Sequence, residues 1–259
     1  MRLSWKLGRV AGIDLFLHPS TLLIFLMVSG SYANPFSALP LVVGLLGSIV
    51  LHELGHALMA RRYGIGTADI TLYLFGGVAR LERMPRSAGP ELLIALAGPA
   101  VNVAIALALA PLAWASWSLA PPLADLTAGL LMINLGLAAF NLLPVFPMDG
   151  GRVLRALLSG WLGRLRATEV AASIGQALAI VGGFWFLFSG NWQAAILAAF
   201  VYVAAGFERA QVRFESGATR REAGFVDVPA PPMGFRWANR GGVWRLEPTA
   251  MGREPQSWN

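Results

Sequence analysis

Apolar residues are concentrated in six long windows along this chain, separated by short polar connections. A helix that crosses the hydrocarbon layer of a membrane, which is ~30 Å thick, needs about 17–25 such residues. The windows are Leu15–Ser31, Leu39–Met59, Leu92–Ala115, Ala124–Leu143, Val170–Ser189 and Gln193–Ala210. The pattern predicts an all-α polytopic membrane protein with about six transmembrane helices.

A different pattern lies between the second and third windows. Thr67–Leu74 and Val78–Leu81 have the composition of strands, and Phe75-Gly76-Gly77 separates them. We interpret this stretch as a membrane-associated β-hairpin with a glycine turn. Non-helical backbone at membrane depth requires partners. One interpretation is that the hairpin binds an extended peptide at Gly76 and Gly77, which pairs with it as a further strand. The alternative is a plain surface hairpin.

The N-terminal region predicts a second, weaker strand. Gly8–Leu17 alternates loosely between apolar and polar residues and could pair at the membrane surface. His18-Pro19 then opens the first apolar window, with proline at a favourable first-turn position. We expect His18 to form a local hydrogen bond at this helix start and not to bind a metal.

Composition and charge support the membrane assignment. Hydrophobic residues make up 56% of the chain and charged residues only 13%. The net charge of +6 follows membrane topology: Tyr32–Ala38, Ser116–Leu123 and Gly190–Trp192 contain no Lys or Arg, and all 20 basic residues lie elsewhere. We therefore predict a multi-pass protein of the cell's inner membrane with both termini in the cytoplasm, in contact with lipid and not with nucleic acid.

The chain divides into two parts by composition. Residues 1–210 contain every apolar window, whereas residues 211–259 are rich in Arg, Pro, Gly and Trp without a period. We predict a membrane domain over 1–210 and a short cytoplasmic tail over 211–259, partly disordered or lying on the anionic leaflet.

The second window contains the strongest chemical signal, His52-Glu53-Leu54-Gly55-His56. Histidines at i and i+4 lie on the same helix face and can occupy two corners of a tetrahedral zinc site. Glu53 can then act as the base for a water molecule at the open corner. The chain has no cysteine, so any zinc site must use histidine and carboxylate ligands.

A second signal follows the fourth window, in Asn141-Leu142-Leu143-Pro144-Val145-Phe146-Pro147-Met148-Asp149-Gly150-Gly151-Arg152. The two prolines must break the helix, and the glycines allow left-handed backbone. Asp149 appears at that break beside hydrophobic sequence and is the natural third metal ligand. Asn141 could donate to a substrate carbonyl or developing oxyanion, or could equally be a hydrogen bond between helices.

The third window contains Ala97-Gly98-Pro99 followed by Asn102. Pro99 should bend the helix, and the small residues allow a second helix to approach closely. We expect Asn102 to form an interhelical hydrogen bond and not to act in catalysis.

With these motifs in this order, residues 8–160 resemble the site-2 protease family of intramembrane zinc metalloproteases. The resemblance implies one zinc ion per chain, held by His52, His56 and Asp149, with Glu53 as base and Asn141 assisting. It also implies regulated cleavage of a single-span membrane protein, such as a tethered transcription factor or an anti-sigma factor. Many relatives add a PDZ insertion or paired CBS domains; the loops and the tail here are too short for either, so we expect neither.

Two other classes of protein remain as alternatives. In a transporter or channel, the two histidines and Asp149 would form a permeation site, but the spans contain few other polar residues and no internal repeat. An inactive scaffold of the same fold would have no need for the complete set of catalytic residues.

Overall fold

The structure is a computed structural model that describes residues 4–30, 32–74, 76–83, 85, 87–117, 120–222, 235–240 and 243–248. Phe75 of the predicted hairpin turn and most of the predicted tail lie outside this part of the chain. The helices are α1 (Leu22–Ser29), α2 (Leu39–Arg62), α3 (Ala88–Ser116), α4 (Pro121–Asn141), α5 (Asp149–Leu162), α6 (Arg164–Phe188) and α7 (Trp192–Glu222). The strands are β1 (Trp5–Val10), β2 (Ile13–Leu17), β3 (Thr67–Tyr73), β4 (Gly76–Leu81), β5 (Phe235–Arg240) and β6 (Val243–Pro248).

Five helices in the described part are long and apolar enough to cross a membrane. They are α3, α4, α6, the Trp192–Phe214 part of α7, and α2 together with the 3-10 turn before it, Pro35–Arg62. Each corresponds to one of the predicted apolar windows. The predicted membrane-protein fold, with its small sheet, is confirmed.

The first predicted span, Leu15–Ser31, has a different structure. Its beginning belongs to β2, and the apolar helix that follows, Pro19–Ser29, is too short to cross a membrane alone. Pro19 cannot donate a backbone hydrogen bond, and the strand before it pairs with β3 in parallel, with the His18 amide donating to the Leu72 carbonyl at 2.9 Å. Ile13 of β2 packs against Ala57 near the end of α2, and Ile24 of the short helix packs against Ala38 and Val42 near its beginning. Strand and helix together therefore run along α2.

The sheet has the order β1-β2-β3-β4, with β2 and β3 parallel and the other pairs antiparallel. The predicted hairpin is the β3–β4 pair, and the predicted N-terminal strand is the β1–β2 hairpin. Asp69 on β3 and Arg80 on β4 form an ion pair across the hairpin, which raises the pKa of Arg80. The buried face of the sheet packs against α2 through a cluster that includes Ile13, Ala57 and Ile70.

Helix α5 is not among the predicted elements, because its apolar residues lie on one side only and form no long window. It follows the segment that contains both prolines, and Asp149 is its first residue. That segment packs on α6 and α7: Phe146 contacts Ala171, Ala172 and Ala205. Small residues on the two helices therefore make room for the loop that leads to Asp149.

By contacts between residues, the chain divides into two compact units, residues 1–210 and 211–259. In the second unit, β5 and β6 form an antiparallel hairpin, and α7 continues to Glu222. The sequence did not predict this hairpin, because period-2 alternation over six residues is too short to stand out in a Pro- and Gly-rich stretch. The cytoplasmic location of the tail stays a prediction.

Candidate metal centre

Three potential metal ligands converge at one point inside the helical bundle. The Nε2 atoms of His52 and His56 lie 3.2 Å and 3.1 Å from Oδ2 of Asp149, and 3.1 Å from each other. All three side chains are buried. The histidines belong to one face of α2, and the helix break before α5 brings the carboxylate to them.

Hydrogen bonds on the far side of each imidazole fix its orientation. Nδ1 of His56 donates to the Ile94 carbonyl at 2.6 Å, and Nδ1 of His52 donates to Oδ1 of Asn102 at 2.5 Å. A histidine that donates through Nδ1 keeps the lone pair on Nε2, the atom that faces Asp149. Both acceptors belong to α3, so this helix sets the direction of both rings.

The orientation of the Asn102 amide is set by a chain of buried polar groups. Its Nδ2 donates to Oδ1 of Asn134 at 2.9 Å, and Nδ2 of Asn134 donates to Oγ of Ser48 at 3.0 Å. The hydroxyl of Ser48 donates to the Gly44 carbonyl at 2.8 Å. We call His52, Asn102, Asn134 and Ser48 the amide chain. Because each donor in it has an acceptor, the Asn102 oxygen must face His52.

The donor set fits a divalent cation. With both Nδ1 atoms donating, the two Nε2 lone pairs and the carboxylate of Asp149 face one another without a hydrogen between them. Such a group of acceptors is stable only around a positive charge. Ligand atoms of tetrahedral zinc at 2.0–2.1 Å are roughly 3.3 Å apart, close to the spacing here.

Asp149 is available as a ligand. Its carboxylate is buried beside the two imidazoles. A buried carboxylate is stabilised far better beside a positive charge than alone, which favours a metal ion at this point.

Glycines allow backbone segments to approach this cluster closely. A Cβ atom on Gly98 of α3 would lie 2.2 Å from Nε2 of His56 and 2.7 Å from Nε2 of His52. A Cβ on Gly150 would lie 2.2 Å from the Leu143 carbonyl oxygen, and one on Gly151 would lie 2.7 Å from the carbonyl carbon of Val145. Gly150 and Gly151 lie within α5, so their role is this close packing and not the left-handed backbone predicted for them.

Glu53 faces a different neighbour. Its Oε2 accepts a hydrogen bond from the Ala79 amide of β4 at 3.1 Å, and a Cβ on Gly77 would lie 2.4 Å from its Cγ. N–H groups of an antiparallel strand alternate between its two edges. The Ala79 amide that reaches Glu53 is therefore on the edge of β4 away from β3, which is an end of the sheet.

Comparison with known proteins identifies this arrangement. Residues 40–120 and 115–182 match the model of peptidase family M50. The chain belongs to peptidase family M50. A zinc metalloprotease of Methanocaldococcus jannaschii is 35% identical over 233 residues, which cover 89% of this chain and 68% of that protein.

Two further comparisons agree with the family. A protein of Mycobacterium tuberculosis whose name assigns it to the zinc metalloproteases is 33% identical over 247 residues, 82% of this chain and 60% of that protein. The solved site-2 protease from Methanocaldococcus jannaschii matches with a TM-score of 0.60 and 36% identity, over 80% of this chain and 95% of that one. The predicted site-2 protease resemblance, zinc as the metal and the metallopeptidase class are confirmed.

The other polar residues that the sequence singled out form hydrogen bonds of two kinds. Asn102 forms the expected interhelical hydrogen bond, and His18 accepts one from the amide of Ser20 at its helix start. Asn141, in contrast, donates within its own helix to the Leu137 carbonyl at 3.0 Å. A role for Asn141 toward a substrate stays a prediction.

The sequence interpretation did not find several residues that support the M50 centre. They are Ser48 and Asn134 of the amide chain, the Ile94 carbonyl and the Ala79 amide. A lone asparagine in an apolar span, such as Asn134, was a usable signal, because a polar group there requires a partner. The Ile94 carbonyl and the Ala79 amide could not be predicted in this way, because backbone groups do not depend on the type of side chain.

Proposed function

We propose that this protein is an intramembrane protease that hydrolyses a peptide bond within or next to the transmembrane segment of a membrane-tethered substrate. The observation that carries the proposal is an acceptor-only cluster, formed by His52, His56 and Asp149, together with the carboxylate of Glu53 on the same helix as the two histidines. Both are set among helices that are apolar enough to cross a membrane.

The chemistry divides between the metal and the chain. When bound, zinc supplies Lewis acidity, which acidifies water and polarises a carbonyl group. His52, His56 and Asp149 would hold the ion, one per chain. Glu53 accepts the proton of the attacking water and donates it to the leaving amine. Its hydrogen bond from the Ala79 amide keeps the carboxylate in one position for both transfers.

The substrate has to present an extended backbone, since a helix has no free backbone groups for attack. The outer edge of β4 lies beside Glu53 and can pair with such a segment as one more strand, which would pass along Gly76 and Gly77. Asn141 would donate to the substrate carbonyl or to the developing oxyanion. A single-span membrane protein, such as a tethered transcription factor or an anti-sigma factor, is the substrate class that this arrangement favours.

The distribution of basic residues supports a specific placement in the membrane. Arg61 and Arg62 end α2 a few residues after His56, which puts the centre near the cytoplasmic face. We infer a multi-pass protein of the inner membrane with both termini in the cytoplasm, and regulated intramembrane proteolysis as its role. Labelling of the Tyr32–Ala38 connection from the outer face tests this topology.

Replacement of Glu53 by glutamine tests the proposed function. The amide keeps the shape of the side chain but cannot accept the water proton at neutral pH. Zinc content and substrate association should survive, while hydrolysis of a reconstituted single-span substrate falls by about 10²–10⁴-fold.

The same experiment separates the alternatives. A transporter would give no peptide product with either form of the protein, and a scaffold would behave identically before and after the substitution. Cleavage by Glu53→Gln at near the parental rate would show that the proposed role of Glu53 as base is wrong.

A further inference from the structure

Away from the metal centre, three charged side chains are grouped around one fully buried arginine. Arg155 of α5 is 1% exposed. Its Nε lies 2.6 Å from Oε1 of Glu91 at the start of α3, and its Nη1 lies 2.5 Å from Oε1 of Glu208 on α7. Arg164 lies 3.5 Å from the second oxygen of Glu91. We call these four residues the ion cluster.

Burial of the four charged groups of the ion cluster costs free energy, so the cluster should have a role beyond filling space. Two carboxylates balance two guanidinium groups, but each buried ion costs several kcal/mol of desolvation, which the pairing only offsets. Stability alone is a weak reason for such a cluster, since apolar residues of similar volume often stabilise as well. What it provides is a directional connection between helices.

The two helices joined by Arg155 and Glu91 both act on the metal centre, whose two histidines belong to α2. Helix α3 contains Glu91 and, one turn later, Ile94, whose carbonyl orients His56; Asn102 of the same helix orients His52. Helix α5 begins with Asp149 and contains Arg155 six residues later. The contact between Glu91 and Arg155 thus joins the helix that directs both imidazoles to the helix that brings the carboxylate.

Arg155 also acts on the chain before Asp149. Its guanidinium lies over the ring of Phe146, 5.1 Å from the ring centroid. Phe146 is 1% exposed and lies in the loop that ends at Asp149. One side chain therefore fixes the loop before the ligand and the helix after it.

We propose that Arg155 and Glu91 are positioning residues that set the distance between the carboxylate of Asp149 and the two imidazoles. Neither touches the metal ligands; they act through the relative position of α3 and α5. The contact of Arg155 with Glu208 connects α5 to α7 and serves as an internal control, because no described residue of α7 belongs to the metal cluster. The inference deepens the proposed function and rests on the three residues that hold the metal there.

The test compares the same chemical change at the two carboxylates that flank Arg155. Three variants of the whole chain, Glu91→Gln, Glu208→Gln and Arg155→Lys, are purified in detergent. The zinc affinity of each is measured by competition with a chromophoric chelator. Cobalt(II) replaces zinc in a second measurement, because its absorption spectrum reports the ligand geometry. Thermal unfolding in the presence of a chelator measures the stability of the fold without metal.

Glu91→Gln should weaken zinc binding about tenfold, the lower end of the range for residues that support a metal ligand, and should alter the cobalt spectrum. Arg155→Lys should weaken it in the same direction, since a single ammonium group cannot reproduce the fork between two carboxylates. Glu208→Gln should change zinc affinity less than threefold, about 0.65 kcal/mol by the relation of tenfold to 1.4 kcal/mol.

Two results would overturn the proposal. Parental zinc affinity and cobalt spectrum in Glu91→Gln, with only a lower unfolding temperature, would make the ion cluster purely structural. A loss of zinc affinity in Glu208→Gln as large as that in Glu91→Gln would lead to the same conclusion. If Glu91→Gln does not fold, Arg155→Lys is compared with Glu208→Gln by the same criteria. Because these measurements report metal binding and not cleavage, they can fail while the protease assignment stands.

Discussion

His52 and Glu53 are consecutive residues on α2, yet they face opposite kinds of surroundings. His52 points into the bundle, where its ring meets Asp149 on one side and the fully buried Asn102 on the other. Glu53 points toward the sheet, where its only hydrogen-bond partner among the described groups is the Ala79 amide of a half-exposed strand. A turn of about 100° per residue separates the two directions.

The comparison shows how one helix can serve two needs of a protease. On the ligand side, both Nδ1 atoms and the two asparagine amides have acceptors among the described groups, and small residues pack closely. The geometry of that side is therefore set before any substrate arrives. The sheet side ends in a strand edge with backbone groups that another strand can use. The following predictions test each side, beginning with the largest expected effect.

Asp149→Ala removes the one proposed ligand that lies outside α2. The two imidazoles alone leave half of a tetrahedral site without protein ligands, so elemental analysis should find most of the zinc lost and cleavage abolished. His18→Ala is the control, because His18 bonds locally to Ser20 and should leave zinc content unchanged. Full zinc occupancy in Asp149→Ala would remove this residue from the ligand set.

Gly98→Ala tests the close packing of the ligand side. The new Cβ atom would overlap both Nε2 atoms, so the imidazoles or α3 must shift, and we expect zinc affinity to fall on the order of a hundredfold. Gly89→Ala in the same helix is the control, since a Cβ there has no heavy atom within 4 Å. Equal zinc affinity of the two variants would contradict the close approach of α3.

Asn134→Leu breaks the amide chain without touching a metal ligand. The Asn102 amide loses the acceptor that fixes its orientation, so the Nδ1 bond of His52 weakens and zinc affinity should fall about tenfold in chelator competition. Asn141→Leu, the same change two turns later in α4, should leave zinc affinity unchanged. A cleavage assay of Asn141→Leu tests its oxyanion role separately.

Ala79→Pro acts on the sheet side. Proline removes the amide that donates to Glu53 but leaves the hydrogen bonds between β3 and β4 intact, because that amide lies on the outer edge. A hydrogen bond to a charged group contributes about 1.5–3 kcal/mol, so cleavage should fall at least about tenfold while zinc stays bound. Ala79→Gly keeps the amide and should cleave at close to the parental rate; a loss as large as in the proline variant would exclude the hydrogen bond as the cause.

The outer edge of β4, and not the hairpin turn, is the place to test strand addition. Leu74 lies at the hairpin turn, but its amide donates to Oγ of Ser20 at 3.1 Å, so a proline there would disturb the junction with α1. The sequence predicted the hairpin correctly but not which amides face the site, because the direction of each N–H depends on the register with β3.

The sequence predicted most of the fold where a segment alone decides its structure. Five of the six apolar windows became helices long enough to cross a membrane, since a lipid environment requires internal backbone hydrogen bonds. The structures of the first window and of α5 were not predicted, for opposite reasons. In the first window, apolar residues form a strand that pairs with β3 and not part of a long helix. In α5, the apolar residues lie on one side of the helix only, so they form no long window in the sequence.

By itself, the sequence determined which residues meet on α2: a spacing of four brings two histidines to one face, and the next residue faces the sheet. Only the tertiary structure decided what those side chains contact. The Nδ1 partners of His52 and His56, the arrival of Asp149 and the joining of α3 to α5 through Arg155 all involve residues far apart in the chain. Helical periodicity is local and can be read from residue types, whereas the direction of a lone pair depends on groups that only folding brings together.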